Sequence, residues 1–245
     1  MSGREAWRLL VTWAGEPGWN MALDEALHAG ADSRPVLRFY TWKPHALSLG
    51  YFQRWQQFAP LASEQVLVRR FSGGGAIHHQ DELTFSIAAA ETHALFRGEV
   101  RNSYERVHGL LARAFATLGV RAELRGRDGL ASDRAATGMC FHQSTPLDLA
   151  WDGRKGVGSA QRRSASRVLH HGSIKLGASA LEEGVAVLRA HAPALEPAEL
   201  ARRIQAEFED GLGCTFSREE PSASERELAA RRAGFYRSDP FLRRR

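Results

Sequence analysis

Three segments of the chain place reactive or ligand-binding residue types in unusual company. The first, "TGMCFHQSTPL", carries Cys140, one of two cysteines, with Gly138 before it and His142 after it. A thiol in a polar loop beside a base or cation can serve as a nucleophile, because reactivity follows thiolate character; without such company it is a small buried hydrophobe. The other cysteine, Cys214, lies in the apolar "GLGCTF" at an expected helix end and is read as structural. The second segment, "GRKGVGSAQ", holds Lys155. The chain has 30 Arg but only three Lys (Lys43, Lys155 and Lys175), so each lysine is worth asking about. Arg keeps its charge and presents a planar fork, whereas Lys is a slender, tunable point charge. Lys155 is either a solvated turn lysine or such a point charge at a site. The small Gly158, Ser159 and Ala160 after it would let a strand pass close to a ligand. The third segment, "RRFSGGGAIHHQDELTFSIA", sets Arg69 and Arg70 before Gly73, Gly74 and Gly75 and two histidines after them. Glycines in a row permit positive φ and close backbone approach. A guanidinium next to exposed N–H groups suits a carboxylate or phosphate, although a strand-to-strand turn would use the same glycines. Neither a dinucleotide fingerprint nor a P-loop is present, since no helix and no Lys follows.

These segments need elements to hold them. Asn20 followed by "MALDEALHAG" predicts an N-capped helix ended by Gly30. "PVLRFYTW", "ALSLGYF" and "VLVRRF" predict three strands, so the glycines sit at a strand's end. "AIHHQDELTFSIA" predicts strand, with Gln80–Glu82 as a loop. Tyr104, Val107, Leu111, Phe115 and Leu118 recur at helical spacing up to Gly119. "DLAWDGRKGVGSAQ" predicts a hairpin turning at Asp152-Gly153, and "RVLHHGSIKLG" another strand. "EPAELARRIQAEFEDGLG" and "ASERELAARRAGFY" predict amphipathic helices. Arg125–Ser144 and Gln161–Ser166 read as loops. Strands without strict βαβ alternation predict an α+β fold, a mixed β-sheet with flanking helices, in one domain spanning 1–245. Adjacent strand residues face opposite ways, so neither His78-His79 nor His170-His171 can share a metal, and no metal site is expected.

At 245 residues, 43% hydrophobic and 25% charged, the chain can bury a substantial core. No apolar run approaches the ~20 residues that span a bilayer, and no charged-then-apolar leader opens the chain. Two cysteines make no disulfide framework, so a cytoplasmic location without membrane association is expected. The net charge of +5 raises the question of nucleic acid. Yet the basic residues are scattered and nowhere interleaved with aromatics, so no nucleic-acid partner is expected. The charge suits either a solubilising surface or an acidic protein partner.

In this order the pieces resemble the lipoate–protein ligase and octanoyltransferase family, which shares its catalytic fold with biotin protein ligases. The resemblance is carried by "NMALDEAL" at Asn20, "LSLGYFQ" at Leu47, "RRFSGGGAIHHQDELTFS" at Arg69, "GRKGVGSAQRR" at Gly153 and "LHHGSIKL" at Leu169, with "FYRSD" at Phe235 as a terminal echo. It implies that Arg70, Ser72, Gly73, Gly74, Gly75 and His79 line an acyl pocket together with Gly158, Ser159, Ala160, His171 and Gly172. It also implies that Lys155 contacts the acyl carbonyl. Within the family, the C-F pair of "CFHQSTPLDL" resembles the cysteine-dependent octanoyltransferases; its proline is displaced from their C-F-x-x-P-S pattern to Pro146. That resemblance implies that Cys140 takes an octanoyl group from acyl carrier protein. A lysine of a lipoyl-accepting protein, the glycine-cleavage H protein or an E2 lipoyl domain, would then receive it. Lys155 would stabilise the oxyanion, and no metal or organic cofactor would be needed. Amidotransfer of lipoyl or octanoyl groups between lipoyl-accepting proteins would use the same cysteine. An ATP- and Mg-using ligase with an incidental Cys140, or a non-catalytic acyl-binding paralogue, would share the same blocks. Lys43 and Lys175 carry no expectation of a role.

Overall fold

A computed structural model describes residues 4–31 and 34–245. In chain order it runs β1 (Glu5–Gly15), α1 (Pro17–Ala29), β2 (Val36–Trp42), β3 (Ala46–Leu49), β4 (Val66–Arg69), β5 (Ile77–His79), β6 (Glu82–Ala90) and α2 (Val100–Ala116). It continues through β7 (Glu123–Leu124), β8 (Leu149–Trp151), β9 (Arg154–Ser164), β10 (Arg167–Lys175), α3 (Pro197–Leu212), β11 (Cys214–Arg218), α4 (Ala223–Ala233) and α5 (Asp239–Leu242).

Eight strands form a mixed sheet in the order β11-β1-β2-β6-β10-β9-β8-β7, and three form a small sheet, β4-β3-β5. The period-2 alternation of the large sheet splits its side chains between two layers. Phe39, Phe85, Ile87, Val157, Val168 and Ile174 share one core with Val107, Leu111 and Phe115 of α2 and Leu200, Ile204 and Phe208 of α3. Tyr40, Trp42, Ala88 and Leu169 face the other way, into a core with Met21, Leu23 and Leu27 of α1. The adjacent histidines separate accordingly. His170 packs near Phe85, Tyr104 and His108, whereas His171 bonds Ser72 and Asp24 on the opposite face.

Several sequence expectations are corrected. Asn20 does not cap α1, which starts at Pro17 with the Glu16 carboxylate accepting from the Trp19 N–H at 2.8 Å. Asn20 is buried inside the helix, donating to Gly15 O and Thr41 O and accepting from Arg38 at 2.7 Å. Gln161–Ser166 is no loop, because β9 and β10 form one long hairpin closed at Ala165-Ser166. Both turn residues have left-handed backbone (φ 52° and 60°) without the Asn or Gly that normally signals it. The Asp152-Gly153 turn, which has that signal, forms as expected between β8 and β9. Glu82 belongs to β6 rather than to the turn before it, and Cys214 opens β11 rather than ending a helix. No helix among the described residues is long and apolar enough to cross a membrane.

Burial of histidine sets a pH dependence. His79 and His108 are held down to about 4, in each case chiefly because burial penalises the charged ring. Their unfolded-state values lie near 6.5, so the unfolded chain binds protons that the native state refuses. Their contribution to stability is complete above pH ~6.5 and is lost as pH falls toward 4, at up to about 1.4 kcal/mol per pH unit for each ring. Denaturant unfolding at pH 7.5, 6, 5 and 4.5 should show this decline, and a flat profile would contradict the buried neutral assignment.

Candidate active site

The glycine run leaves β4 and enters β5 pressed between two other backbones. Gly74 has φ +92°, and a Cβ on Gly50 would lie 1.9 Å from Gly74 O. A Cβ on Gly75 would lie 2.8 Å from Cys140 N and 2.9 Å from Gly138 O. The glycines therefore bring the turn against the Cys140 loop, which is then pinned by Ala76 N–H to Gly138 O (2.9 Å) and Cys140 N–H to Ala76 O (2.7 Å). The two arginines before them are fully engaged within the protein. Arg69 donates to Gly50 O, Gln53 O, Phe241 O and Leu242 O, tying the 241–245 segment to the turn rather than meeting an anion. Arg70 lines the cavity described below, but its terminal nitrogens donate to Ser48 O, Ser48 Oγ, Gly73 O and Gly75 O. It braces the turn from beneath. Behind it, His79 Nδ1–H donates to Glu82 Oε1 (2.5 Å) and Nε2 faces Ser48 Oγ (2.6 Å), so a buried carboxylate is linked through His79 and Ser48 to Arg70.

Lys155 is not a solvated turn residue but is 1% exposed. Consecutive residues Leu149 and Ala150 of β8 pair with Val157 and Lys155 of β9, so Gly156 is an extra residue, a bulge. The bulge reverses parity: Val157 enters the α2–α3 core, while Lys155 turns to the face of Gly158 and Cys140. Its Nζ lies 2.7 Å from Cys140 O, 3.2 Å from Gln143 O, 2.8 Å from Asp148 Oδ2 and 3.5 Å from Cys140 Sγ. Burial works against the ammonium, but negative charge at Cys140 and Asp148 outweighs it and holds Lys155 above its ordinary value. The cation is permanent at neutral pH and stands ready to meet negative charge on the sulfur. His142 makes no hydrogen bond to the thiol: its Nε2–H donates to Glu183 O at 3.1 Å, and its buried Nδ1 has no partner among the described residues.

The space beside the thiol is kept open by glycine. A Cβ on Gly158 would come within 2.8 Å of Cys140 Sγ and 3.3 Å of Lys155 Cε. Gly158→Ala should therefore leave the fold intact, because the sulfur is the movable end of a side chain, yet displace the pair. Thiol alkylation and any acyl transfer should slow by about 10–100-fold. Unchanged alkylation by iodoacetamide would contradict this packing.

Cys140 sits where two spaces meet. One is a narrow, mostly apolar cavity between the two sheets, lined by Met21, Tyr40, Trp42, Ile77 and Thr84 together with Arg70, Gly74, His79, Gly158, Ser159, Ala160, His171, Gly172 and Ser173. The other is an open cleft of about 740 Å³ that includes Gln53, Gly73–Gly75, Tyr104, Gln143–Asp148, Lys155 and Gln161. Cys140, Gly74, Ser159 and Ala160 line both. Ser72 lies behind the wall, its Oγ 2.6 Å from His171 Nε2, while His171 Nδ1 faces Asp24 at 3.2 Å. Ser159 turns its hydroxyl to His108 on α2 (2.8 Å), so what it offers the cavity is backbone. Gly172 allows that crossing, since a Cβ there would lie 2.5 Å from Ser159 Oγ and 2.7 Å from the Phe85 ring.

Sequence reasoning overlooked the acids. Asp148 and Glu82 sit at the edges of predicted strands, where a carboxylate that will be buried looks like one that is solvated. Lys175, given no role from sequence, is 0% exposed and bonds Glu82 (2.9 Å), Glu182 (2.7 Å) and His78 O (2.6 Å). Its Nζ also stands 4.8 Å over the ring of Phe141, next to the thiol. Lys175→Met strands two buried carboxylates and should cost about 3–5 kcal/mol in denaturant unfolding. A loss below 1 kcal/mol would show the cluster to be dispensable.

The family model for the lipoyl protein ligase A/B catalytic domain matches residues 16–209. Octanoyltransferase LipM of Moorella thermoacetica is 42% identical over 180 residues, covering 70% of this chain and 66% of that relative, just under two thirds of its length. Octanoyltransferase LipM of Kyrpidia tusciae is 33% identical over 271 residues, covering 97% of this chain and 98% of the relative. The bi-partite lipoate protein ligase of Thermoplasma acidophilum superposes with a TM-score of 0.79 at 18% identity over 98% of this chain and 96% of that one, which establishes a shared fold. The α+β fold read from sequence is thus that of the lipoate–protein ligases, and the chain belongs to the lipoyl protein ligase A/B catalytic-domain family.

Proposed function

We propose that the protein is an octanoyltransferase that moves a medium-chain acyl group through a Cys140 thioester to a lysine of a lipoyl-accepting protein. The observation that carries this reading is Cys140 at the junction of a narrow apolar cavity and an open cleft, with the Lys155 ammonium 3.5 Å from its sulfur. The cavity is lined mostly by apolar atoms but has a free volume of only about 20 Å³, so its walls must part to take the acyl chain, and the cleft suits whatever brings or takes it. In the first step the Cys140 thiolate attacks the carbonyl of octanoyl–acyl carrier protein. The Cys–S–acyl bond forms, the bond to the carrier's sulfur breaks, and the carrier leaves as its thiol, taking up the proton that Cys140 released on ionising. Lys155 donates a hydrogen bond to the oxyanion of the tetrahedral intermediate. In the second step the neutral amine of the acceptor lysine attacks, the amide forms and the amine's proton returns the sulfur to a thiol. A thioester already lies above an amide in free energy, so this sequence calls for neither ATP, Mg nor another cofactor. The octanoyltransferase relatives support the acyl group, and the glycine-cleavage H protein or an E2 lipoyl domain supplies the acceptor lysine. The reaction is taken to occur in the cytoplasm.

The test compares octanoylation of an acceptor protein from octanoyl–acyl carrier protein without nucleotide, and from free octanoate with ATP and Mg. Transfer from the carrier alone is expected. Modification only with octanoate, ATP and Mg would mark a ligase. Acceptor-to-acceptor transfer alone would mark an amidotransferase, and octanoate binding without either reaction a non-catalytic binder.

A further inference from the structure

Beside the cleft, the loop after β3 presents Tyr51 and Phe52, and a set of arginines gathers over them. The Arg244 guanidinium lies 3.7 Å from the Tyr51 ring centre, Arg162 of β9 lies 6.0 Å from the same ring, and Arg245 lies 5.2 Å from Phe52. At 3.7 Å Arg244 is in stacking contact, which uses the face of the planar group and leaves its N–H edge available, while Arg162 and Arg245 lie over the rings at cation–π distance. None of the three makes a side-chain hydrogen bond or an ion pair among the described residues. The ridge is also fixed in place. Trp55 N–H donates to Arg245 O at 2.7 Å, and buried Arg69 holds the carbonyls just before it. It is continuous with the cleft: Phe52 is 61% exposed and stands over Gly73, and Arg162 follows Gln161, both Gly73 and Gln161 being cleft residues.

We infer that this arginine ridge is the docking surface for the acidic protein that delivers the acyl thioester, with Phe52 as its apolar contact. The inference rests on the acyl-transfer reading, because a protein-borne thioester must bring its carrier to the rim of the cleft. Outward guanidinium edges on an aromatic base fit surface carboxylates, and the exposed ring suits the apolar margin of such a face.

The test uses the full chain with two octanoyl donors: octanoyl–acyl carrier protein, and octanoyl-pantetheine, which has the same thioester without an acidic protein. Arg162→Glu/Arg244→Glu should raise KM for the carrier at least tenfold and flatten its salt dependence, while turnover of octanoyl-pantetheine stays unchanged. The control Arg202→Glu/Arg218→Glu changes net charge equally, with Arg218 on the far edge of the large sheet, and should leave both donors unaffected. Arg244→Gln gives a milder version should the reversal perturb folding. An unchanged carrier KM, an equal loss on both donors, or a KM rise confined to the acceptor protein would overturn the assignment. So would tighter binding of a DNA oligonucleotide than of the carrier at the same arginines. Direct titration with the carrier separates docking from chemistry. Ridge-dependent carrier binding by an enzyme inert toward octanoyl-pantetheine would contradict the reaction and still support the docking surface.

Discussion

Cys140→Ser should lower acyl transfer to an acceptor protein by about a thousandfold or more while the cavity still binds octanoate. Everything around the sulfur is arranged for charge: the Lys155 ammonium at 3.5 Å, the open space over Gly158, and a backbone pinned to the glycine turn. A hydroxyl there keeps the shape but surrenders its proton far less readily, and no histidine is hydrogen-bonded to the Cys140 sulfur. Cys214→Ser is the matching control. Its thiol lies in the α2–α3 core, donates to Phe208 O, and is pushed up to about 11 by burial, so it is inert chemically. That variant should transfer at the wild-type rate with a stability loss on the order of 1 kcal/mol. Initial rates of acceptor octanoylation decide the matter. A Cys140→Ser rate within tenfold of wild type would remove the thiol from the mechanism.

Lys155→Arg should reduce kcat by about a hundredfold or more although the charge is kept. The ammonium reaches Cys140 O, Gln143 O and Asp148 from one point, and its Cε passes 3.3 Å from where a Gly158 Cβ would be. A planar fork is wider and longer than this space, so it must either displace the Cys140 loop or leave Asp148 partly unpaired. Lys43→Arg, at an exposed position, should be neutral. Rates at saturating donor, with unfolding monitored in parallel, separate lost chemistry from lost fold. More than half of wild-type kcat in Lys155→Arg would contradict a one-point role.

Much of this site was legible in the sequence because its signals are local. The Gly73–Gly75 turn, the Asp152-Gly153 hairpin and the rarity of lysine each announce a backbone or charge requirement where it occurs. Cys140, Lys155, Gly74 and Gly158 are indeed brought together. Less legible was anything decided by tertiary partners. The role of Arg69 depends on carbonyls of residues 241 and 242, far along the chain, and that of Lys175 depends on Glu82 and Glu182. The face onto which Lys155 points depends on a bulge at Gly156, which has no local signature apart from a glycine that lets the Trp151 ring approach. The Ala165-Ser166 turn hid for a related reason: its left-handed residues are held by a long hairpin rather than chosen for their own preference.

The central claim is a covalent acyl group on Cys140. Intact mass spectrometry after brief mixing with octanoyl–acyl carrier protein, without acceptor, tests it directly. The account predicts a single octanoyl adduct that maps to the Cys140 peptide, is released by neutral hydroxylamine, disappears when an acceptor protein is added, and is absent from Cys140→Ser. Acceptor octanoylation proceeding at full rate with no such adduct, or an adduct that maps elsewhere, would contradict it.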